Sequence, residues 1–220
     1  MAPPPAEPDL QLISLPVSPF AARVRIAIRA KRLDIQITPP PAGWPNDARF
    51  RDINPMGRIP VLILGDGEAI WESAVILETL EELFPAAPPL LPPGVLARAR
   101  ARLLVRCADH ELMPPMIALA AQPDEPETRR LVGRLVDGLA ILDGLIDGGP
   151  YAVGDRLSFA DCALAPALFA ARVTGERLGI DLLDSTPNVA DYAAAVAEDA
   201  SVVHVLAEME DGLSRLVRVG

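Results

Sequence analysis

Residues 12–28 read LISLPVSPFAARVRIAI. The apolar stretch from Leu10 to Leu15 predicts a strand, and Phe20, Val24 and Ile28 then recur at helical spacing. Between the two patterns stands Ser18-Pro19. Serine is a favoured helix N-cap and proline a favoured first helical residue. Ser18 is therefore expected at the positive end of the first helix, where unpaired N–H groups and the macrodipole favour an anion. A thiolate is such an anion, and a serine hydroxyl can donate a hydrogen bond to it. A free thiol of pKa about 8.5 is only a few per cent ionised at pH 7, and lowering that pKa by about two units takes about 2.7 kcal/mol. One charge-assisted hydrogen bond and a helix terminus can supply that much. The plainer alternative is that Ser18 only caps its helix.

Outward from this turn, the first half mixes strands and helices. Ile35 to Thr38 alternates like a second strand. Val61 to Leu64 is a short apolar run, followed by the turn residues Gly65-Asp66-Gly67 and a returning strand from Ala69 to Trp71. Val75, Ile76, Leu80, Leu83 and Phe84 form a helix face. The order is β-α-β, then β-β-α. Two further turns could meet a ligand. Ile59-Pro60 opens the third strand, where a cis bond could expose the Ile59 backbone for strand-like pairing with a peptide; an ordinary strand-starting proline is the alternative. Glu72-Ser73 precedes a helix whose N-terminus is a ready anion site, with Ser73 as the expected N-cap and Glu72 free to pair with an ammonium. Plain capping is again the alternative. The segment 39–47, PPPAGWPND, has no assigned element, and its Trp44 either covers a ligand or packs the loop.

Residues 85–93, PAAPPLLPP, carry five prolines in nine positions. Such a run cannot continue a helix and makes a stiff linker. Beyond it the pattern is all-helical: Leu96 to Ala121 with a kink expected at Pro114-Pro115, the stripe Leu131, Leu135, Leu139, Leu142 and Ile146, then Ser158–Val173, Asn188–Glu198 and Val202–Leu216. The expected organisation is a lead at 1–9, an α/β domain at 10–84, the linker at 85–93 and an all-helical domain at 94–220.

Composition narrows the partners. A net charge of −10 argues against nucleic acid and against an anionic membrane. No apolar run is long enough to span a bilayer, and the acidic, proline-rich start is not a secretory signal. Cys107 and Cys162 lie far apart, with neither metal nor dithiol spacing, and read as buried thiols of a reducing compartment. His110 and His204 are isolated, so no metal is expected. Arg98, Arg100, Arg102 and Arg106 read as a solvated or subunit-facing stripe.

Taken in order, LISLPVSPFAARVRIAI, NPMGRIPVLIL (54–64) and WESAVILETLEELFP (71–85) resemble the thioredoxin-like domain of soluble, cytosolic-type glutathione transferases. The likeness is to the serine-type classes: tau, zeta and many bacterial members. In the second half YAVGDRLSFADCALAP (151–166) and STPNVADYAAAV (185–196) are similar to the segments that follow in that family. The resemblance runs from about Leu10 to Val203. It implies an N-terminal thioredoxin-like domain and an all-helical C-terminal domain, a cytoplasmic homodimer and a role in detoxification. It implies glutathione as co-substrate, no metal, and a small hydrophobic electrophile attacked in conjugation, isomerisation or dehalogenation. It makes Ser18 the catalytic hydroxyl and places Phe20, Arg58, Ile59, Pro60, Glu72 and Ser73 around glutathione. Ser158 would cap a buried helix, completed as a capping box by Asp161. Asp109 matches a carboxylate that the partner subunit sometimes adds, with a surface salt bridge as the alternative. The dithiol position of thioredoxin-like proteins here reads Ser18-Pro19-Phe20-Ala21, so a cysteine-type mixed-disulfide mechanism has no nucleophile there. Two rival readings stand: a non-catalytic interaction module, as the stringent starvation proteins are, and a glutathione-dependent disulfide reductase.

Overall fold

A computed structural model describes residues 9–147 and 149–219, so the expected lead at 1–9 lies outside it except for Asp9. The first half forms β1 (Gln11–Ile13), α1 (Pro19–Ala30), β2 (Gln36–Thr38), α2 (Ala48–Ile53), β3 (Val61–Ile63), β4 (Ala69–Trp71) and α3 (Ser73–Leu83). The four strands make one sheet in the order β2-β1-β3-β4. β1 runs parallel to β2 and antiparallel to β3, and β4 returns antiparallel to β3. Side chains alternate across the pleat. Leu12 and Leu62, cross-strand partners, share one face with Val24 and Ile28 of α1 and Ile76 and Leu80 of α3. Ile13 and Val61, the next pair, turn to the other face and pack on Phe50 of α2.

The helix α2 was not expected. It is six residues long, only Phe50 is buried, and its start is fixed by Asp47, whose Oδ1 accepts from the N–H groups of Arg49 and Phe50. One buried residue gives no periodicity to read.

The second half is helical: α4 (Val95–Cys107), α5 (Met113–Ala120), α6 (Glu125–Asp143), α7 (Phe159–Leu178), α8 (Pro187–Val196) and α9 (Ala200–Val219). The single helix expected over 96–121 is instead α4 and α5 joined by a π turn, Ala108–Leu112. Pro114 and Pro115 fall in the first turn of α5, so their missing N–H groups are met by a local widening just upstream. α7 is the axle of this half, and it packs against α1, α4, α5, α8 and α9. Its first turn holds a buried capping box. The Asp161 carboxylate accepts from Ser158 N–H, Ser158 Oγ and Ala152 N–H, each at 2.7 Å, and from the Tyr192 hydroxyl at 2.9 Å. Burial pushes this carboxyl's pKa up, and those hydrogen bonds pull against the shift.

Between α3 and α4 the chain is tied back onto the first half. Glu81 accepts from the N–H groups of Leu90 and Leu91, while its carboxylate lies 2.8 Å from buried Lys31 of α1. Among the described residues no helix is long and apolar enough to cross a membrane.

Candidate active site

Ser18 stands at the N-cap of α1 with extended backbone, and its Oγ accepts from the Ala21 N–H at 3.3 Å. The hydroxyl hydrogen remains available to a ligand acceptor. The loop that carries Ser18 is braced from inside by Arg25. This arginine is 3% exposed, and its Nη1 donates to Ser14 Oγ and to the Leu15 carbonyl, while Nη2 donates to the Pro16 carbonyl, all at 2.8 Å. Glu208 of α9 lies 3.0 Å from Arg25 Nε. Burial lowers the pKa of this guanidinium and Glu208 raises it. The same helix presses on the loop directly: a β-carbon added at Gly212 would come within 2.8 Å of Val17 Cγ1 and 3.1 Å of Pro16 Cβ.

Next to this turn is a cleft lined by Phe20, Asn54, Arg58, Ile59, Pro60, Glu72 and Ser73. Three separate turns build it. The Ile59–Pro60 peptide is cis. Glu72 sits at the N-cap position of α3 with φ 71°, and no side chain caps this helix. Ser73, expected as the cap, is instead the first helical residue and is buried. The first-turn N–H groups of α3 therefore begin at the cleft without a capping side chain, which is the arrangement that suits a carboxylate. Asn54 fixes the floor. It is 2% exposed, its Nδ2 donates to the Arg58 carbonyl at 2.8 Å, and its Oδ1 accepts from Met56 N–H at 3.0 Å. Arg58 itself is exposed.

Val17 and Pro19, the sequence neighbours of Ser18, line a second cavity of about 260 Å³. α5, α7 and α9 supply most of its wall, with Met113, Met116, Phe169, Val173, Met209 and Leu213 among the lining side chains. The stretch that carries Ser18 thus reaches both spaces, the apolar cavity through Val17 and Pro19 and the polar cleft through Phe20.

Several expectations change. Trp44 packs with Ile13, Phe50 and Val61, and is not among the residues lining the cleft. Ser14, the serine nearest Ser18 in sequence, is 4% exposed and accepts from Arg25, so it is not open to a ligand. Asp109 makes a two-pronged contact within its own chain, at 2.7 and 3.4 Å, to Arg23, which is 2% exposed, so this salt bridge is no surface feature. The Arg23 guanidinium also lies 5.6 Å from the Phe20 ring centre. Sequence reasoning missed Arg23, Arg25 and Asn54. Two arginines within the apolar run of 21–28 were the available signal, because a charge on a buried helix face must meet fixed partners. Cys107 and Cys162 are both buried, and burial raises both thiol pKa values. Among the described residues no cluster of His, Cys, Asp and Glu could hold a metal.

Comparison with known proteins follows the two halves. Residues 17–83 match the family described as glutathione S-transferase, N-terminal domain, and residues 125–195 match glutathione S-transferase, C-terminal domain. A maleylacetoacetate isomerase of Pseudomonas aeruginosa is 38% identical over 187 residues, covering 79% of this chain and 85% of its own. A stringent starvation protein A homolog of Coxiella burnetii is 32% identical over 161 residues, covering 73% of this chain and 75% of its own. Among solved structures, rice GST1 in complex with glutathione superposes with a TM-score of 0.80 at 28% identity, over 97% of this chain and 99% of that one.

Proposed function

The chain belongs to the glutathione S-transferase family, and from that premise we propose that Ser18 holds the thiol of bound glutathione as a thiolate for attack on an electrophile. The supporting observation is that Phe20, Arg58, Ile59, Pro60, Glu72 and Ser73 line one cleft beside the turn that Ser18 caps. In this reading the uncapped N-terminus of α3 and Ser73 take the γ-glutamyl carboxylate, and Glu72 meets its ammonium. The Ile59 backbone pairs with the cysteinyl unit, and Arg58 faces the glycine carboxylate. The sulfur then lies at the N-terminus of α1, where the Ser18 hydroxyl donates to it. The protein contributes position and anion stabilisation, and the thiolate supplies the bond-forming pair. The electrophile docks in the apolar cavity flanked by Val17 and Pro19, and its detoxification is the role this chemistry serves.

Val75 of α3 and Leu103 of α4 are each 51% exposed. Exposed apolar side chains on these two helices support a homodimer in which a second copy covers them. A cytoplasmic location accords with two free thiols. Isomerisation, the reaction named for the Pseudomonas relative, is one of the outcomes open to a bound thiolate. The non-catalytic reading is favoured by the Coxiella relative, and it predicts that the cleft binds no glutathione.

Ser18→Ala tests the assignment. The pKa of the bound thiol should rise by about one to two units, read from the pH dependence of thiolate absorbance and of kcat/KM. Glutathione affinity, measured calorimetrically, should change little. An unaltered pH profile in the mutant would remove Ser18 as the activating group.

A further inference from the structure

The apolar cavity has a polar inventory short enough to decide what it admits. Its wall of Met113, Met116, Phe169, Val173, Met209 and Leu213 offers no hydrogen bond of ordinary strength. Methionine adapts its shape and makes favourable contacts with aromatic rings, so three of them suit a flat, compact apolar body. The cavity's volume, about 260 Å³, is at the small end for a ligand site. Two polar residues remain on its lining, Thr174 and Arg177. Thr174 gives its hydroxyl hydrogen to the Ala170 carbonyl at 2.8 Å, within its own helix. Arg177 gives one N–H of Nη2 to the Leu119 carbonyl at 2.7 Å. A guanidinium has five such hydrogens, and among the described residues no other acceptor takes them, which leaves a forked pair open to a carboxylate.

From this inventory we propose that the electrophile is a compact apolar molecule with a single carboxylate, anchored by Arg177, and that dicarboxylates are excluded. The proposal rests on glutathione occupying the neighbouring cleft. One acid group finds Arg177 at the exposed edge of the cavity. A second would face methionine and valine, where an unpaired charge is strongly disfavoured. No long-range attraction offsets this, because the chain carries a net charge of −10. Arg177 is then a specificity residue: it selects among electrophiles and leaves the thiol chemistry at Ser18 alone.

The test uses calorimetric titration of the intact protein with glutathione and three S-conjugates: S-benzyl, S-(4-carboxybenzyl) and S-(3,5-dicarboxybenzyl)glutathione. These report on the cavity without requiring turnover. The benzyl conjugate should bind about tenfold tighter than glutathione, through apolar burial. The 4-carboxybenzyl conjugate should gain about a further tenfold from the charge-assisted pair. The dicarboxybenzyl conjugate should bind no tighter than glutathione itself. In Arg177→Leu the carboxylate gain should vanish while the benzyl gain stays. Arg177→Lys, which keeps the charge without the fork, should retain part of it. Unchanged glutathione binding in either variant shows that the protein is folded. The proposal is overturned if the dicarboxylate binds as tightly as the monocarboxylate, or if Arg177→Leu keeps the carboxylate gain. It is also overturned, with the cleft assignment intact, if glutathione binds and no conjugate binds tighter. Absence of glutathione binding overturns the cleft assignment, and this proposal falls with it.

Discussion

The cleft and the cavity beside the Ser18 turn are built by opposite means. The cleft is made of turns, so most of its chemistry is backbone: a helix N-terminus without a cap, a cis peptide and a glutamate at positive φ. The cavity is made of side chains that reach it from three helices spread over residues 113–213. A turn is a local object whose geometry needs a few neighbouring residues. A cavity is a global one, and it exists only when every helix around it is seated. Loss of stability should therefore reach the cavity first through its scaffold, and loss of function should reach the cleft first through single residues.

The largest effect should come from the scaffold. Asp161→Ala removes the acceptor of four hydrogen bonds at the buried start of α7, the helix that carries Phe169 and Val173. It strands the donors of Ala152, Ser158 and Tyr192, and should cost about 3–5 kcal/mol in urea unfolding. A loss below about 1 kcal/mol would show that the α7 start does not carry the helical half, and the contrast with the cleft would fail. Gly212→Ala is next, because it joins the two sides. Its new methyl group meets Val17 and Pro16 at 2.8 and 3.1 Å. Overpacking of this kind costs about 1–3 kcal/mol, and here it should also displace the Ser18 loop. The expected signature is a raised pKa of bound thiol together with weaker binding of S-benzylglutathione. A change in stability alone, with the thiol titration unmoved, would separate α9 from the catalytic turn. The smallest effect should come from Glu72→Gly. Glycine relieves the positive φ at residue 72, worth about 1 kcal/mol of added stability. It also removes the carboxylate assigned to the ligand ammonium. Stability should rise while glutathione affinity falls several-fold. If both fall, the strain at residue 72 is not what the backbone stores there.

The same division explains what the sequence could disclose. Ser18-Pro19, Ile59-Pro60 and Glu72-Ser73 are each a pair of adjacent residues whose turn chemistry is written in their types; the last two pairs line the cleft, and Pro19 lines the cavity. Ser18 itself lies at the predicted helix start. The strands and most helices were legible for the same reason, through periodicity within short windows. The cavity was not legible, because Met113, Phe169 and Met209 look like any core residue until the helices are placed. Nor was the bracing of the Ser18 loop: Arg25 meets Glu208 only across the folded chain. The π turn was half legible. The prolines announced a disturbance, and the helix placed its adjustment a turn earlier, over Ala108–Leu112.

That pairing of Arg25 with Glu208 has a consequence for the order in which the molecule is made. Every residue of the cleft has left the ribosome once Ser73 has, and the sheet with α1 and α3 can begin to assemble. Arg25 must nevertheless wait for α9 before it has a carboxylate beside it, and the loop of Ser14, Leu15 and Pro16 waits with it. A nascent or prematurely terminated chain that ends before Ala200 would hold the cleft's residues with the Ser18 loop incompletely braced. In this sense α9 reports that synthesis has gone well past the cleft, and a fragment lacking it would carry the parts for thiol activation without their full alignment.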